Sequence, residues 1–206
     1  MQLLANTTSP YVRIARIAML EKGFDIEPTL VDPWADDTRL RDANAATRVP
    51  TLVLDDGTPL TESLLIVMWL ERTRPAPEWP SLLGRDGAAS SAVLSRTGIA
   101  LGVIDAAVHT IIIRKVTAPV LFDETPVGLR RRRTMAEGMA RLEAMAAHTP
   151  LWTSGAPTLD AITAVVAVDY LRFRFTAAAW MPPLPWLDAL SLALRERPAV
   201  AQTMPR

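Results

Sequence analysis

The hydrophobic and polar positions of this chain change rhythm once. Up to about residue 73, short apolar runs alternate with helical patterns. Gln2 to Ala5 is a short apolar run that ends at the polar turn Asn6-Thr7-Thr8. Ser9-Pro10 then reads as a helix start, with serine as N-cap and proline at the first helical position. Val12, Ala15, Ile17, Ala18, Met19 and Leu20 line that helix until Gly23 stops it. Ile26 to Val31 predicts a second strand, and Asp36 to Asn44 a polar helix or loop. Thr51-Leu52-Val53-Leu54 and Thr58-Pro59-Leu60 flank Asp55-Asp56-Gly57, which signals a hairpin. Pro59 has no N–H for a ladder, so its strand belongs at a sheet edge. Glu62 to Arg72 carries Leu64, Leu65, Val67, Met68 and Trp69 at helical spacing.

Pro75, Pro77, Pro80, Gly84 and Gly87 mark residues 75–87 as a linker. Beyond it only helical periods follow: one helix to about Lys115, then Pro126 to His148, Thr158 to about Phe175, and Pro185 to Arg195. The pattern predicts an α/β domain over 1–74, built as β–α–β then β–β–α, followed by an all-helical domain over 88–206.

Composition narrows the chemistry. The chain has 206 residues, half of them apolar, which is enough to build a core without staples. Its 22 basic and 22 acidic residues balance, so no global field favours nucleic acid or an anionic membrane. With no cysteine, disulfides, thiolate metal sites and a cysteine nucleophile are excluded. His109 and His148 are the two histidines, too few for a multi-histidine metal site. No glycines fall as G-x-G, so a dinucleotide phosphate loop is not expected. The N-terminus lacks the pattern of a secretory signal, and apolar stretches such as Ala164 to Val168 fall far short of the roughly 20 residues of a membrane span. A cytoplasmic location without membrane contact is the expectation. The run Arg130 to Arg133 spreads round a helix and reads as a solvated face.

Four features carry candidate chemistry: Thr7 to Arg13, Arg48-Val49-Pro50-Thr51, Glu62-Ser63, and the helix start at Thr158. Each alone has a plain structural explanation as a cap, a turn or a helix end. Together and in this order, the first three resemble the glutathione-binding domain of glutathione transferases, which has a thioredoxin-like fold. The resemblance rests on Ser9-Pro10-Tyr11-Val12-Arg13, Arg48-Val49-Pro50-Thr51-Leu52 and Glu62-Ser63. It extends to Asp32-Pro33-Trp34, to Asp169-Tyr170-Leu171-Arg172-Phe173 and to Arg197-Pro198-Ala199. The most similar group is the bacterial serine-type branch with a Ser-Pro-Phe/Tyr-Val-Arg element. One feature departs from the family: in Thr158-Leu159-Asp160 the acid falls one residue early for a capping box.

The resemblance implies roles for these residues. Val49, before a cis Pro50, would offer its N–H and C=O to the extended peptide backbone. Glu62 would face the γ-glutamyl ammonium, and Ser63, at a helix N-terminus, the adjacent carboxylate. Arg48 would reach the glycyl carboxylate or remain a solvated cation. The thiolate is the nucleophile. A serine hydroxyl is too weak a base to deprotonate it but can donate a hydrogen bond to the sulfur anion. Lowering a thiol pKa by two units takes about 2.7 kcal/mol, and one hydrogen bond to a charge contributes about 1.5–3 kcal/mol. Ser9 is the implied donor, with Thr7 and Thr8 on the same turn as alternatives. Tyr11 would line the electrophile cavity or pack between domains. Asp105 and His109, four apart on the long helix, would face that cavity or pair with each other.

The implied protein needs no cofactor or metal; glutathione is its co-substrate. Its partners would be a small hydrophobic electrophile and a second copy in a two-fold homodimer. Conjugation is the expected reaction. Glutathione-dependent peroxide reduction, binding without turnover, and a scaffolding role are the alternatives. Disulfide reduction through a thiol of its own is excluded, because Ser9 stands where such proteins carry cysteine.

Overall fold

The computed structural model describes every residue except Arg85, Val120, Ala177 and Arg206. The chain forms two compact units: Met1–Leu82 together with the segment from Glu196, and Leu83–Arg195.

The first unit runs β1 (Gln2–Ala5), α1 (Pro10–Glu21), β2 (Thr29–Leu30), α2 (Thr38–Ala43), β3 (Thr51–Val53), β4 (Pro59–Thr61) and α3 (Ser63–Thr73). Its sheet has the order β2-β1-β3-β4, with β2 parallel to β1 and the other pairs antiparallel. Pro59 sits in the outer strand β4, where its missing donor costs no ladder bond. The strand expected over 26–31 shrinks to Thr29–Leu30, because Pro28 cannot donate to the ladder. Val31 extends the contact by donating to the Ala5 carbonyl at 2.9 Å. The polar stretch 36–44 forms α2, whose start is capped by the Asp37 carboxylate accepting from the Arg39 N–H.

Leu3 and Leu4 of β1, Ile14 and Ile17 of α1, Leu52 of β3, and Ile66 and Leu70 of α3 lie within 1% of full burial and form the core. Burying each such side chain stabilises the fold by about 1.5–3 kcal/mol. A short helix α8 (Pro198–Ala201) packs on α1, and Arg197 grips the Glu21 carboxylate with two bonds of 2.8 and 2.7 Å.

Behind the C-terminal end of α1, Lys22 is completely buried. Its Nζ donates to the Arg74 carbonyl at 2.8 Å and lies 2.7 Å from Glu71. Glu71 in turn accepts from the Leu82 N–H at 2.9 Å, while the Arg74 guanidinium covers the rings of Phe24 and Trp79. Gly23 is required here: it has φ +73°, and a Cβ would stand 2.5 Å from the Trp79 ring. Residues 75–82 of the expected linker are thus fastened to the first unit.

The second unit contains α4 (Gly87–Thr117), a 3₁₀ turn (Phe122–Glu124), α5 (Pro126–His148), α6 (Leu159–Arg174) and α7 (Pro185–Arg195). Every residue of α6 from Leu159 to Leu171 is buried, as a helix that is apolar on all sides requires. Its two acids are paired. Asp160 accepts from the Arg96 Nε at 2.6 Å and from the Thr158 hydroxyl at 2.6 Å. Asp169 accepts from the Ser191 hydroxyl at 2.8 Å and from Arg195 at 2.6 Å. α7 starts on Glu143, whose carboxylate accepts the N–H groups of Trp186 and Leu187. In the arginine run, Arg132 donates to the Asp123 carbonyl and Arg133 approaches Glu137 on the helix surface. Among the described residues no helix is long and apolar enough to cross a membrane.

Candidate functional site

Strand register decides which loops of the first unit meet. Leu4 of β1 stands opposite Thr51 of β3, and Thr51 stands opposite Thr61 of β4. Directions alternate, so β1 ends, β3 begins and β4 ends along one margin of the sheet. Asn6 to Ser9, Arg48 to Pro50, and Glu62 to Ser63 therefore emerge at the same edge. An ion pair of 3.0 Å between Arg48 and Glu62 joins two of these loops directly.

The turn after β1 is organised by Asn6, which sequence reading did not single out. Its side-chain oxygen accepts from the Thr8 N–H at 3.0 Å and the Thr8 hydroxyl at 2.8 Å, and its carbonyl accepts from the Ser9 N–H. Thr8 has thereby spent its hydroxyl proton. Ser9 caps α1 by accepting from the Val12 N–H at 3.3 Å, with Pro10 at the first helical position. That bond uses an acceptor position of the hydroxyl and leaves its single O–H free to donate. Thr7 is exposed, and Tyr11 is half-buried on the first turn of α1.

The loop before β3 depends on Asn44, also missed. Buried at the end of α2, it donates to the Arg48 carbonyl at 3.0 Å and to the Thr51 hydroxyl at 3.1 Å. Thr51 donates to the same carbonyl at 2.9 Å. A polar residue closing a helix just before a proline-containing loop was the available signal. The Val49–Pro50 peptide is cis. Pro50 is buried and Val49 half-buried, and among the described residues the N–H and C=O of Val49 take no partner.

α3 begins without a side-chain cap. Glu62, at its N-cap position, has φ 66° and turns its carboxylate to Arg48 instead of the helix end. Positive φ is uncommon for a residue with a side chain. The first-turn N–H groups of α3 have no helical partner. Ser63 is only 4% exposed, yet its Oγ takes no hydrogen bond among the described residues. Open donors and the positive end of the helix dipole thus face one spot, an arrangement suited to a carboxylate.

Ser9, Tyr11, Arg48, Val49, Pro50, Glu62 and Ser63 all belong to the first unit, and all but Tyr11 lie in the loops of that edge. Asp105 and His109 are exposed on α4 in the second unit. That unit also holds a cleft of ≈ 380 Å³ walled by Arg114, Pro119, Leu121, Phe122 and Glu124. There Arg114 binds the Asp123 carboxylate through two nitrogens and holds it below the usual carboxylate range.

Comparison with known proteins follows the same lines. Residues 8–73 match the family model of the glutathione S-transferase N-terminal domain. The GST-like protein YibF of Escherichia coli is 30% identical over 205 residues, covering 100% of this chain and 98% of that protein. A glutathione S-transferase of Methylobacterium radiotolerans, solved in complex with glutathione sulfonate, superposes with a TM-score of 0.87 at 32% identity, covering 99% of this chain and 94% of that one. A glutathione S-transferase of Methylobacillus flagellatus with glutathione bound gives 0.85 at 27% identity, over 100% and 99% of the two chains.

Proposed function

We propose that this chain, which belongs to the glutathione S-transferase superfamily, binds glutathione at the loop edge of its sheet and conjugates the thiolate to small hydrophobic electrophiles. In this reading Val49 pairs with the cysteinyl backbone of the tripeptide. The open N-terminus of α3, with Ser63, takes the γ-glutamyl carboxylate, and Glu62 takes the ammonium. Ser9 donates to the sulfur and favours its anionic form. The thiol proton passes to water and the thiolate attacks the electrophile with its electron pair; either the leaving group departs with its bonding pair, or an activated double bond accepts the pair and takes a proton from water.

The observation that carries the reading is the set of unspent donors on one edge. Ser9 keeps its O–H after capping α1, whereas Thr8 has given its own to Asn6. Of the hydroxyls on this turn, that favours Ser9 over Thr8. A serine in this role also fits the serine-type branch. A two-fold homodimer, which rests on the superfamily, and a cytoplasmic setting, which rests on the sequence, are further expectations.

Ser9→Ala tests the mechanism. With reduced glutathione and a panel of halogenated, enal and hydroperoxide substrates, the turnover rate is expected to fall about 10- to 100-fold while glutathione affinity changes little. Ser9→Gly loses only a few tenths of a kcal/mol of capping, so the same fall there separates a chemical defect from a folding one. If the intact protein binds glutathione but turns over no substrate, binding without catalysis replaces this reading. A hydroperoxide as the sole substrate would make it a peroxidase.

A further inference from the structure

The Arg48–Glu62 pair bears on how the site fills. We infer that the Arg48 guanidinium is a built-in stand-in for the ligand's ammonium: it occupies Glu62 in the ligand-free protein and must leave when an α-amino group arrives. This rests on the reading in which Glu62 holds the γ-glutamyl ammonium.

Three observations support an exchange over a fixed contact. The guanidinium lies 3.0 Å from the Glu62 carboxylate, which makes no bond to the helix it heads. An extended tripeptide is about 10 Å long, so Arg48 cannot hold the glycyl carboxylate while it remains on Glu62. Finally, the two halves of Arg48 are held very differently. Its carbonyl is pinned by Asn44 and Thr51, while its side chain is 62% exposed and the Glu62 side chain 49%. The side chain can therefore swing away while the backbone that presents Val49 stays in place. Exposed pairs of this kind are weak, so the guanidinium competes with a ligand without blocking it. The exchange is a cost to ligands that bring their own cation and none to those that do not.

Calorimetric titration of the full chain with reduced glutathione tests this. Arg48→Ala is expected to bind glutathione about two- to five-fold more tightly than the unmodified protein, and Arg48→Lys to match it within two-fold. In a Glu62→Gln background, removing Arg48 is expected to change nothing. N-acetylated glutathione, which lacks the ammonium, is expected to gain nothing from Arg48→Ala. Weaker or unchanged glutathione binding by Arg48→Ala, in a protein that does bind glutathione, would overturn the inference and leave the proposed function standing. Absence of glutathione binding by both proteins would overturn the proposed function and the inference with it. Melting temperatures of the variants, expected to be unchanged because the carbonyl bonds of Arg48 remain, keep a folding defect from being mistaken for either result.

Discussion

The buried acids of α6 and the loop edge of the sheet treat their polar groups in opposite ways. In the helical unit, Asp160 and Asp169 are both less than 5% exposed, and each is closed by an arginine and a hydroxyl. In the sheet-containing unit, Ser63 is as deeply buried, but among the described residues its hydroxyl and the Val49 main chain take no partner, and the head of α3 has no side-chain cap. Closed networks lock helices together and have nothing left to offer a ligand. Open groups cost stability in the empty protein, and the cost is recovered when a molecule supplies the missing partners. The difference separates a scaffold from a binding edge more sharply than hydrophobicity does, since both units are built on well-packed apolar cores.

The contrast can be broken experimentally. Asp160→Ala leaves the Arg96 guanidinium partly buried without its partner, and is expected to destabilise the protein by about 3–5 kcal/mol, read as a lowered midpoint in urea. A cost under about 1 kcal/mol would remove the distinction. Gly138→Ala is expected to cost about 1–3 kcal/mol in the same assay, because its Cβ would stand 2.5 Å from Val103 of α4. Gly98→Ala, on the open side of α4, is expected to stabilise by about 0.5–1 kcal/mol. Ser63→Ala removes a hydroxyl that takes no hydrogen bond among the described residues, so its effect on stability is expected to stay within about 0.5 kcal/mol, while glutathione affinity falls. A large loss of stability there would show that the hydroxyl is spoken for.

A further effect concerns acid. Arg114 depresses the titration of Asp123 below its ordinary value of 3.8. The folded value is the lower one, so the contribution of this pair is present above pH 3.8 and is lost as pH falls through the folded value. Both partners are more than a third exposed, which limits the contribution to about 0.5–1 kcal/mol. The stability difference between the protein and Asp123→Asn is expected to reach that size near pH 6 and to shrink as pH falls below 3.8 through the folded value.

Much of this was legible because local punctuation set it. Ser9-Pro10, Asp55-Asp56-Gly57 and Pro185 marked element ends that the fold keeps, and α5 spans the residues its periodicity predicted. The candidate loops were found by their order in the chain, and strand register gives that order a shared edge. What stayed hidden depends on partners far apart in sequence. Arg96 meets Asp160 across 64 positions, and Arg197 meets Glu21 across 176. Arg195 closes on buried Asp169 across 26 positions, and Arg172 holds Asp188 across 16. The second strand was overestimated because Pro28 ends the ladder from within an apolar run. Asn6 carried no pattern of its own, since its work is to hold the turn after β1, and the signal at Asn44 was only its place between a helix end and a proline-containing loop.

The sealed ammonium behind α1 has a practical corollary. The chain contains two lysines, Lys22 and Lys115, and Lys22 is shut in by Glu71 and the Arg74 carbonyl. Of these two lysines, amine-directed coupling to a bead, dye or crosslinker would therefore fall on Lys115, exposed at the end of α4. A preparation that took up label at Lys22 would report that the wrapping around it had come undone.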